Sequence, residues 1–156
     1  MEILFISSFI LGYKAKDNID FRKYINEFWI CKGAFMKIYT QEKLQGAIKT
    51  VSSTINNCEK MQHKFKEGTS QHSLLNNRIK ALKISKYLLE SDRNIDMYSN
   101  DELEKALPPV ISIINKTEKA RSKYREDSNQ YKRLTPLIEA MYISKELIEK
   151  EIKEKN

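Results

Sequence analysis

The fold of this chain follows from residues 36–90, whose sequence is MKIYTQEKLQGAIKTVSSTINNCEKMQHKFKEGTSQHSLLNNRIKALKISKYLLE, because most of this stretch occurs twice. When the sequence is shifted by 59 positions, residues 36–91 align with 95–150 without a gap, and 20 of the 56 aligned pairs are identical. A chain of this composition would give about 4 or 5 identities by chance, so the alignment predicts an internal repeat.

Composition favours a few long helices. The chain has 156 residues, of which 40% are hydrophobic and 31% charged, and it contains only 4 glycines and 3 prolines. So few turn-forming residues leave room for few turns, which is typical of an all-α protein. We therefore predict one all-helical domain over 1–156, with an N-terminal helical segment over 1–35, a first repeat over 36–94 and a second over 95–153.

Each repeat has the pattern of an αα-hairpin. Apolar side chains recur at alternating spacings of four and three residues, which predicts a helix that packs along a neighbour at a shallow angle. The return helices are expected over roughly 71–91 and 130–153 and carry apolar residues on more than one face. Two such hairpins form either a helical bundle or a short solenoid. The first helix of each repeat carries its apolar positions at Leu44, Ile48, Val51, Ile55, Cys58 and Phe65, and at Leu103, Leu107, Val110, Ile114, Thr117 and Tyr124.

The repeats also contain helix start and stop signals. Thr40 and Ser99 precede acidic residues and are predicted N-caps, because a hydroxyl there accepts the free N–H groups of the first turn. Gly46 in one copy and Pro108-Pro109 in the other predict a bend or break near 46–50 and 106–109, since proline cannot donate a backbone hydrogen bond.

The ends of the long helices are predicted from the same kind of signal. Gly68 is expected to end the first long helix. Thr69, Ser70 or Ser73 is expected to cap the helix that follows. In the second repeat, Thr135-Pro136 is the expected start of the return helix, and Lys150 to Asn156 are expected to fray.

The N-terminal segment is expected to add one or two helices before the repeats. Residues 19–32 follow a helical apolar pattern, whereas 1–12 fit either a helix or a strand. The apolar run 1–13 is about half the length that crosses a bilayer, so we expect no membrane association. A terminal apolar run needs cover, which suggests a homodimer.

No residue pattern predicts catalysis. The chain lacks phosphate-binding glycine loops and nucleophile motifs. Cys31 and Cys58 have no zinc-type spacing and are expected to be reduced thiols of a cytoplasmic protein. Glu59, His63 and Glu67 share one helix face, but one helix alone cannot surround an ion. We therefore expect no enzyme activity, no cofactor and no metal.

The net charge of +7 is uneven, because 36–94 carry 11 basic and 5 acidic residues whereas 95–156 carry 12 of each. A basic helix face attracts phosphates, and Tyr87, Tyr124 and Tyr131 could stack on bases. The alternative is a solvated face that both copies inherited. The candidate binding residues are Lys60, Lys64, Lys66, Arg78, Lys80, Lys83, Lys86, Lys119, Arg121, Lys123 and Arg125.

These observations favour a non-catalytic helical interaction protein that binds a macromolecular partner. A protein partner is the first hypothesis, with the chain acting as an adaptor, regulator or stoichiometric inhibitor. The alternative is a nucleic-acid-binding protein that uses the basic surface of the first repeat.

Overall fold

The protein is all-helical, as its composition and periodicity predict. The structure, a computed structural model, describes residues 39–156 and contains no strand there. The predicted N-terminal segment, its helix over 19–32, Cys31 and the suggested dimer contact lie outside the described residues. The described elements are α1 (Gln41–Gln62), α2 (Ser70–Glu90), a 3-10 helix (Arg93–Met97), α3 (Asn100–Arg121) and α4 (Asn129–Lys155).

The four helices close into a bundle. Each helix packs against the one before it in the chain, and α4 also packs against α1 and α2. The contact between α1 and α4 closes the four helices on themselves, as in a bundle, whereas a solenoid would stack the second hairpin on one side of the first and leave α1 and α4 apart. Thr40–Asn156 form one compact unit. Helices α3 and α4 begin 59 residues after α1 and α2 respectively.

The core consists of apolar positions that recur in both halves. Val51 and Val110 are fully buried, and Leu82 of α2 has its counterpart in the equally buried Met141 of α4. Burying an aliphatic side chain of this size stabilises the fold by about 1.5–3 kcal/mol. These positions are the apolar seam that the sequence spacing predicts.

Two buried serines mark the return helices. Ser85 and Ser144 have no exposed surface, and their hydroxyls donate to the carbonyl oxygens of Ala81 (2.9 Å) and Ala140 (2.7 Å). A buried hydroxyl without such a partner would destabilise the core. Each serine hydroxyl therefore has its hydrogen-bond acceptor within its own helix. Because the serine side chain is small, a neighbouring helix can approach closely at this position.

The predicted N-caps are confirmed. The hydroxyls of Thr40 and Thr69 accept the backbone N–H groups of Lys43 and His72, each at 3.3 Å. Ser99 forms a full capping box, because its hydroxyl accepts the N–H of Glu102 (3.3 Å) while its own N–H donates to the Glu102 carboxylate (3.0 Å).

Of the bend or break predicted within the first helix of each repeat, the break is wrong. Helix α1 runs through Gly46, and α3 runs through Pro108 and Pro109. The prolines remove two backbone donors from α3. Buried residues on both sides of them, including Ala106 and Val110, hold the helix against the bundle. Packing of the apolar face therefore outweighs the two lost hydrogen bonds.

Two predicted helix ends are also wrong. Helix α1 ends at Gln62, before Gly68, and His63 rather than Gly68 is its C-cap. Gly68 lies instead in the following turn with φ of 81°, a conformation that favours glycine. Helix α4 begins at Asn129 with Ser128 as N-cap, ahead of the predicted start at Thr135-Pro136.

The end of α4 is held rather than frayed. The helix continues to Lys155, whose ammonium donates to the carbonyl oxygens of Ile95 (3.2 Å) and Tyr98 (2.9 Å). Both acceptors belong to the 3-10 helix and its C-cap, in the connection between α2 and α3. The ammonium group there neutralises the partial negative charge at the C-terminal end of this 3-10 helix. Within residues 39–156, no helix has both the length and the apolar character that crossing a bilayer requires.

Candidate functional site

Both hairpin turns lie at the same end of the bundle. Contacts between the end of one helix and the first half of the next, such as Gln62 with Asn76 and Arg121 with Thr135, show that the helices of each hairpin are antiparallel. We call residues 60–73 and 119–133, which include the turns 63–69 and 122–128, the turn end. Residues 40–47, 90–105 and 147–156 lie at the other end, called the opposite end.

Charge is separated along the long axis of the bundle. The turn end carries nine basic and three acidic side chains, whereas the opposite end carries six basic and ten acidic ones. The first turns of α2 and α4, which begin at the turn end, contain no acidic side chain. The basic surface therefore belongs to one end of the bundle and is built by both repeats.

The two turns have the same backbone hydrogen bonds. In the first turn, the N–H groups of Lys64, Phe65 and Thr69 donate to the carbonyl oxygens of Met61, Gln62 and Lys66, and the Thr69 hydroxyl donates to Lys66 as well. In the second turn the corresponding residues, 59 positions later, make the corresponding four bonds. Both turns therefore present their side chains from the same backbone framework.

At the centre of each turn an aromatic residue lies between two basic ones. The first turn reads Lys64-Phe65-Lys66 and the second Lys123-Tyr124-Arg125. Tyr124 is 45% exposed and Phe65 is half-buried, while the basic residues on either side are exposed. A glutamate follows in each turn, at 67 and 126, and both are exposed.

The structure gathers seven of the eleven predicted binding residues at the turn end. Five of these are exposed and form no ion pair with any residue of 39–156. Arg125 meets Asp127 of its own turn at 3.3 Å, but both side chains are largely exposed, so water screens the pair. The guanidinium of Arg121 stacks on the Tyr131 ring at 4.8 Å. The five exposed lysines are Lys60, Lys64, Lys66, Lys119 and Lys123.

The other four predicted binding residues lie along α2, away from the turns. Lys80 pairs with Glu102 (2.7 Å), Lys83 with Glu59 (2.9 Å) and Lys86 with Glu90 (3.8 Å). Arg78 is half-buried. Lys80 and Lys83 therefore link α2 to α3 and to α1, and Lys86 pairs within α2. Their acidic partners partly neutralise the positive charge of these three lysines.

A shallow groove between α2 and α3 contains two of these residues. Its volume is about 480 Å³, and Arg78 and Lys80 line it together with Leu74, Pro108 and Pro109. Leu74 is 59% exposed. The prolines that interrupt the hydrogen bonding of α3 thus form one wall of this groove.

Only one of the three candidate tyrosines is available at the turn end. Tyr87 lies in the last turn of α2, towards the opposite end, and its ring is 6.2 Å from that of Tyr98. Tyr131 is covered by Arg121. Tyr124 is the exposed one.

The titratable groups considered as candidates for chemistry are Cys58 and the acidic residues beside His63. Cys58 is a buried free thiol, and burial raises its pKa, which keeps it in the unreactive protonated form. Among residues 39–156, no group of three or more histidine, cysteine, aspartate or glutamate side chains is placed to hold a metal ion. Glu59, considered above as a metal ligand, instead pairs with Lys83.

Sequence reasoning missed the basic–aromatic–basic triplets. Counting identities between the repeats finds Lys64/Lys123 and Glu67/Glu126 but passes over the similar pairs Phe65/Tyr124 and Lys66/Arg125. Scoring similar residues would have shown five of the seven turn positions as duplicated. Comparison of the chain with protein-family models, with curated proteins and with solved structures gives no match in any of the three.

Proposed function

We propose that this chain is a non-catalytic interaction protein that binds a polyanionic macromolecule through the turn end of its helical bundle. The observation that carries the proposal is the charge separation, with nine basic and three acidic side chains gathered at one end. Such a surface steers a negatively charged partner towards that end and orients it there.

The exposed lysines of the turn end support this function. The five without an ion pair can each contact an anionic group without first breaking an internal pair. Contacts of this kind release counterions from a polyanion, so binding weakens as salt rises. An acidic protein and a nucleic acid both supply the required dense negative charge.

Retention on immobilised heparin tests the proposal. The wild-type chain is expected to bind at low salt and to elute when the salt concentration rises. A variant with Lys60, Lys64, Lys119 and Lys123 changed to Gln should elute at markedly lower salt. A matched variant changes Lys49, Lys80, Lys83 and Lys116 to Gln and therefore has the same net charge.

The matched pair separates a localised site from general basicity. If both variants elute together, net charge alone governs retention and the turn end is not the binding surface. If the wild type is not retained even at low salt, the proposed function is wrong. Far-UV circular dichroism checks that both variants keep the helical content of the wild type.

A further inference from the structure

We propose that the partner at the turn end is single-stranded nucleic acid, held by both turns at once. This inference rests on the proposed function and adds the chemical class of the partner. It assigns the exposed lysines of the turns to phosphates, and the central aromatic residues, Phe65 and Tyr124, to unstacked bases.

The first step of the argument is the repetition of the turn. Because the two turns share their backbone hydrogen bonds, positions 64–66 and 123–125 present the same chemistry twice at one end of the bundle. The triplets follow the ends of α1 and α3, which lie diagonally across the bundle and do not pack against each other. Packed helices lie about 8–10 Å apart, so a diagonal pair is separated by roughly 11–14 Å. A repeated ligand such as a polynucleotide can contact both triplets with units a short distance apart along one strand.

The second step concerns the aromatic residues. A site that binds only negatively charged groups gains no binding energy from an aromatic ring placed between two cations. A nucleic acid does use such a ring, because every base has a face that stacks on an aromatic side chain. Tyr124 is 45% exposed, and its side-chain hydroxyl forms no hydrogen bond with any residue of 39–156. An acidic protein could bury the same rings, since aromatic residues are enriched at protein interfaces. A strand in which phosphates and bases alternate matches the alternation of cation and ring in both turns.

The third step selects a single strand over a duplex. Bases within a duplex are already stacked on each other, so their faces are not accessible to a protein side chain. Glu67 and Glu126 stand beside the aromatic residues and are exposed. A carboxylate at that position can accept an amino hydrogen of an unpaired base, as acidic side chains do with cytosine.

The test measures binding of a fluorescent 20-nucleotide single strand of mixed sequence, its duplex, and polyglutamate, by anisotropy at several salt concentrations. The single strand should bind at least about 10-fold more tightly than the duplex at equal salt. Changing Phe65 and Tyr124 together to Ala should weaken single-strand binding by about 30-fold or more, since two stacked bases are lost. The salt dependence should not change.

Two control variants are available in the chain. Tyr142 is 43% exposed, close to the exposure of Tyr124, but lies within α4. Changing it to Ala should leave single-strand binding within about 2-fold of the wild type. The lysine pair Lys64 and Lys123, changed to Gln, should reduce the slope of log K against log salt by about 1.4. The same change at Lys80 and Lys83 should leave the slope unaltered.

The outcomes separate the inference from the proposed function. If polyglutamate and duplex bind as well as the single strand, and the aromatic variant binds normally, the partner class is wrong although the turn end still binds polyanions. If no polyanion binds at low salt, both are wrong. Preference for the single strand together with loss of binding in the aromatic variant supports the inference.

Discussion

Replacing Pro108 and Pro109 with alanine should stabilise this protein substantially. Both prolines lie well inside α3, which runs from Asn100 to Arg121 without interruption. Each proline lacks the N–H that would donate to the carbonyl oxygen four residues earlier, so the carbonyl groups of Glu104 and Lys105 have no helical donor. Alanine would restore both hydrogen bonds in a helix whose flanking residues are already packed.

The expected gain follows from the position of the two rings. A proline in a helix interior is about 3 kcal/mol less favourable than alanine, so the pair sets an upper value of about 6 kcal/mol. Pro108 is exposed, so water can donate a hydrogen bond to the Glu104 carbonyl oxygen that lacks a helical donor. This hydrogen bond reduces the destabilisation caused by the proline. We therefore expect the double variant to gain about 3–6 kcal/mol in free energy of unfolding.

Urea unfolding followed by circular dichroism measures the gain. The midpoint should rise by about 2 M, given ordinary slopes for a domain of this size. The aligned residues of α1, Lys49 and Thr50, provide the control. Changing both to Ala alters side-chain propensity and removes the exposed hydrogen bond from the Thr50 hydroxyl to the Gly46 carbonyl oxygen (2.9 Å), and it should shift the free energy of unfolding by about 1 kcal/mol or less.

A gain below about 1 kcal/mol, or a loss, would refute the reasoning. Such a result would mean that α3 is broken at the prolines, as the sequence pattern alone predicts. Alanine would then have no continuous helix to complete. The experiment therefore decides between the sequence-based expectation and the continuous helix.

Three further perturbations test the ends of α3 and α4. Changing Ser99 to Ala removes the N-cap hydroxyl and should lower the free energy of unfolding by about 1 kcal/mol, measured in urea. Lys80 and then the Ser99 N–H hold the pKa of Glu102 at about 2, below its usual 4.5. The ionised carboxylate thus stabilises the fold above pH 4.5 and loses this effect as the pH falls to 2. In E102Q, the free energy of unfolding should therefore vary less between these pH values. Changing Lys155 to Met leaves the Tyr98 carbonyl oxygen without its donor, while the Ile95 oxygen keeps the Tyr98 N–H. The change should cost about 1–3 kcal/mol, with faster amide exchange in the last turns of α4.

The sequence correctly predicts those features of the fold that depend on interactions between residues close together in the chain. Thr40, Thr69 and Ser99 cap helices because a hydroxyl reaches an N–H group three residues later. The apolar spacing likewise predicts the buried positions within α1 and α3, since helical periodicity places them on one face. It is wrong for Phe65 and Tyr124, which lie beyond the ends of these helices and are half-buried and exposed respectively.

Expectations failed where tertiary packing competes with a local signal. Pro108 and Pro109 would break an isolated helix, and the sequence pattern therefore predicts a break there. In the folded protein, the apolar face of α3 packs against neighbouring helices, and this packing keeps the helix continuous. Thr135-Pro136 reads as a start, yet Ser128 already caps α4, and the Thr135 hydroxyl donates inside the helix to Tyr131 at 3.0 Å. Lys155 has acceptors about 60 residues away in the chain, which no local pattern could reveal.

The candidate site was predicted only in part for a related reason. Charge counted along the chain assigns the basic excess to the first repeat, because the second repeat has equal numbers of basic and acidic residues. In the folded bundle the second repeat contributes six basic and two acidic side chains to the turn end, and its remaining acids lie elsewhere. Along the chain, net charge differs between the two repeats. In the folded bundle, it differs instead between the turn end and the opposite end.

The pairing of the four α-helices within residues 39–156 has a practical consequence for attaching this protein to a surface. Because α1 starts and α4 finishes at the same end, Thr40 and Asn156 both lie opposite the turns. Helices of 22 residues are about 33 Å long, so a tether at the C-terminus would hold the two turns roughly that far from the support. Immobilised in this way, every molecule would present its lysine-rich tips to the solution in one orientation.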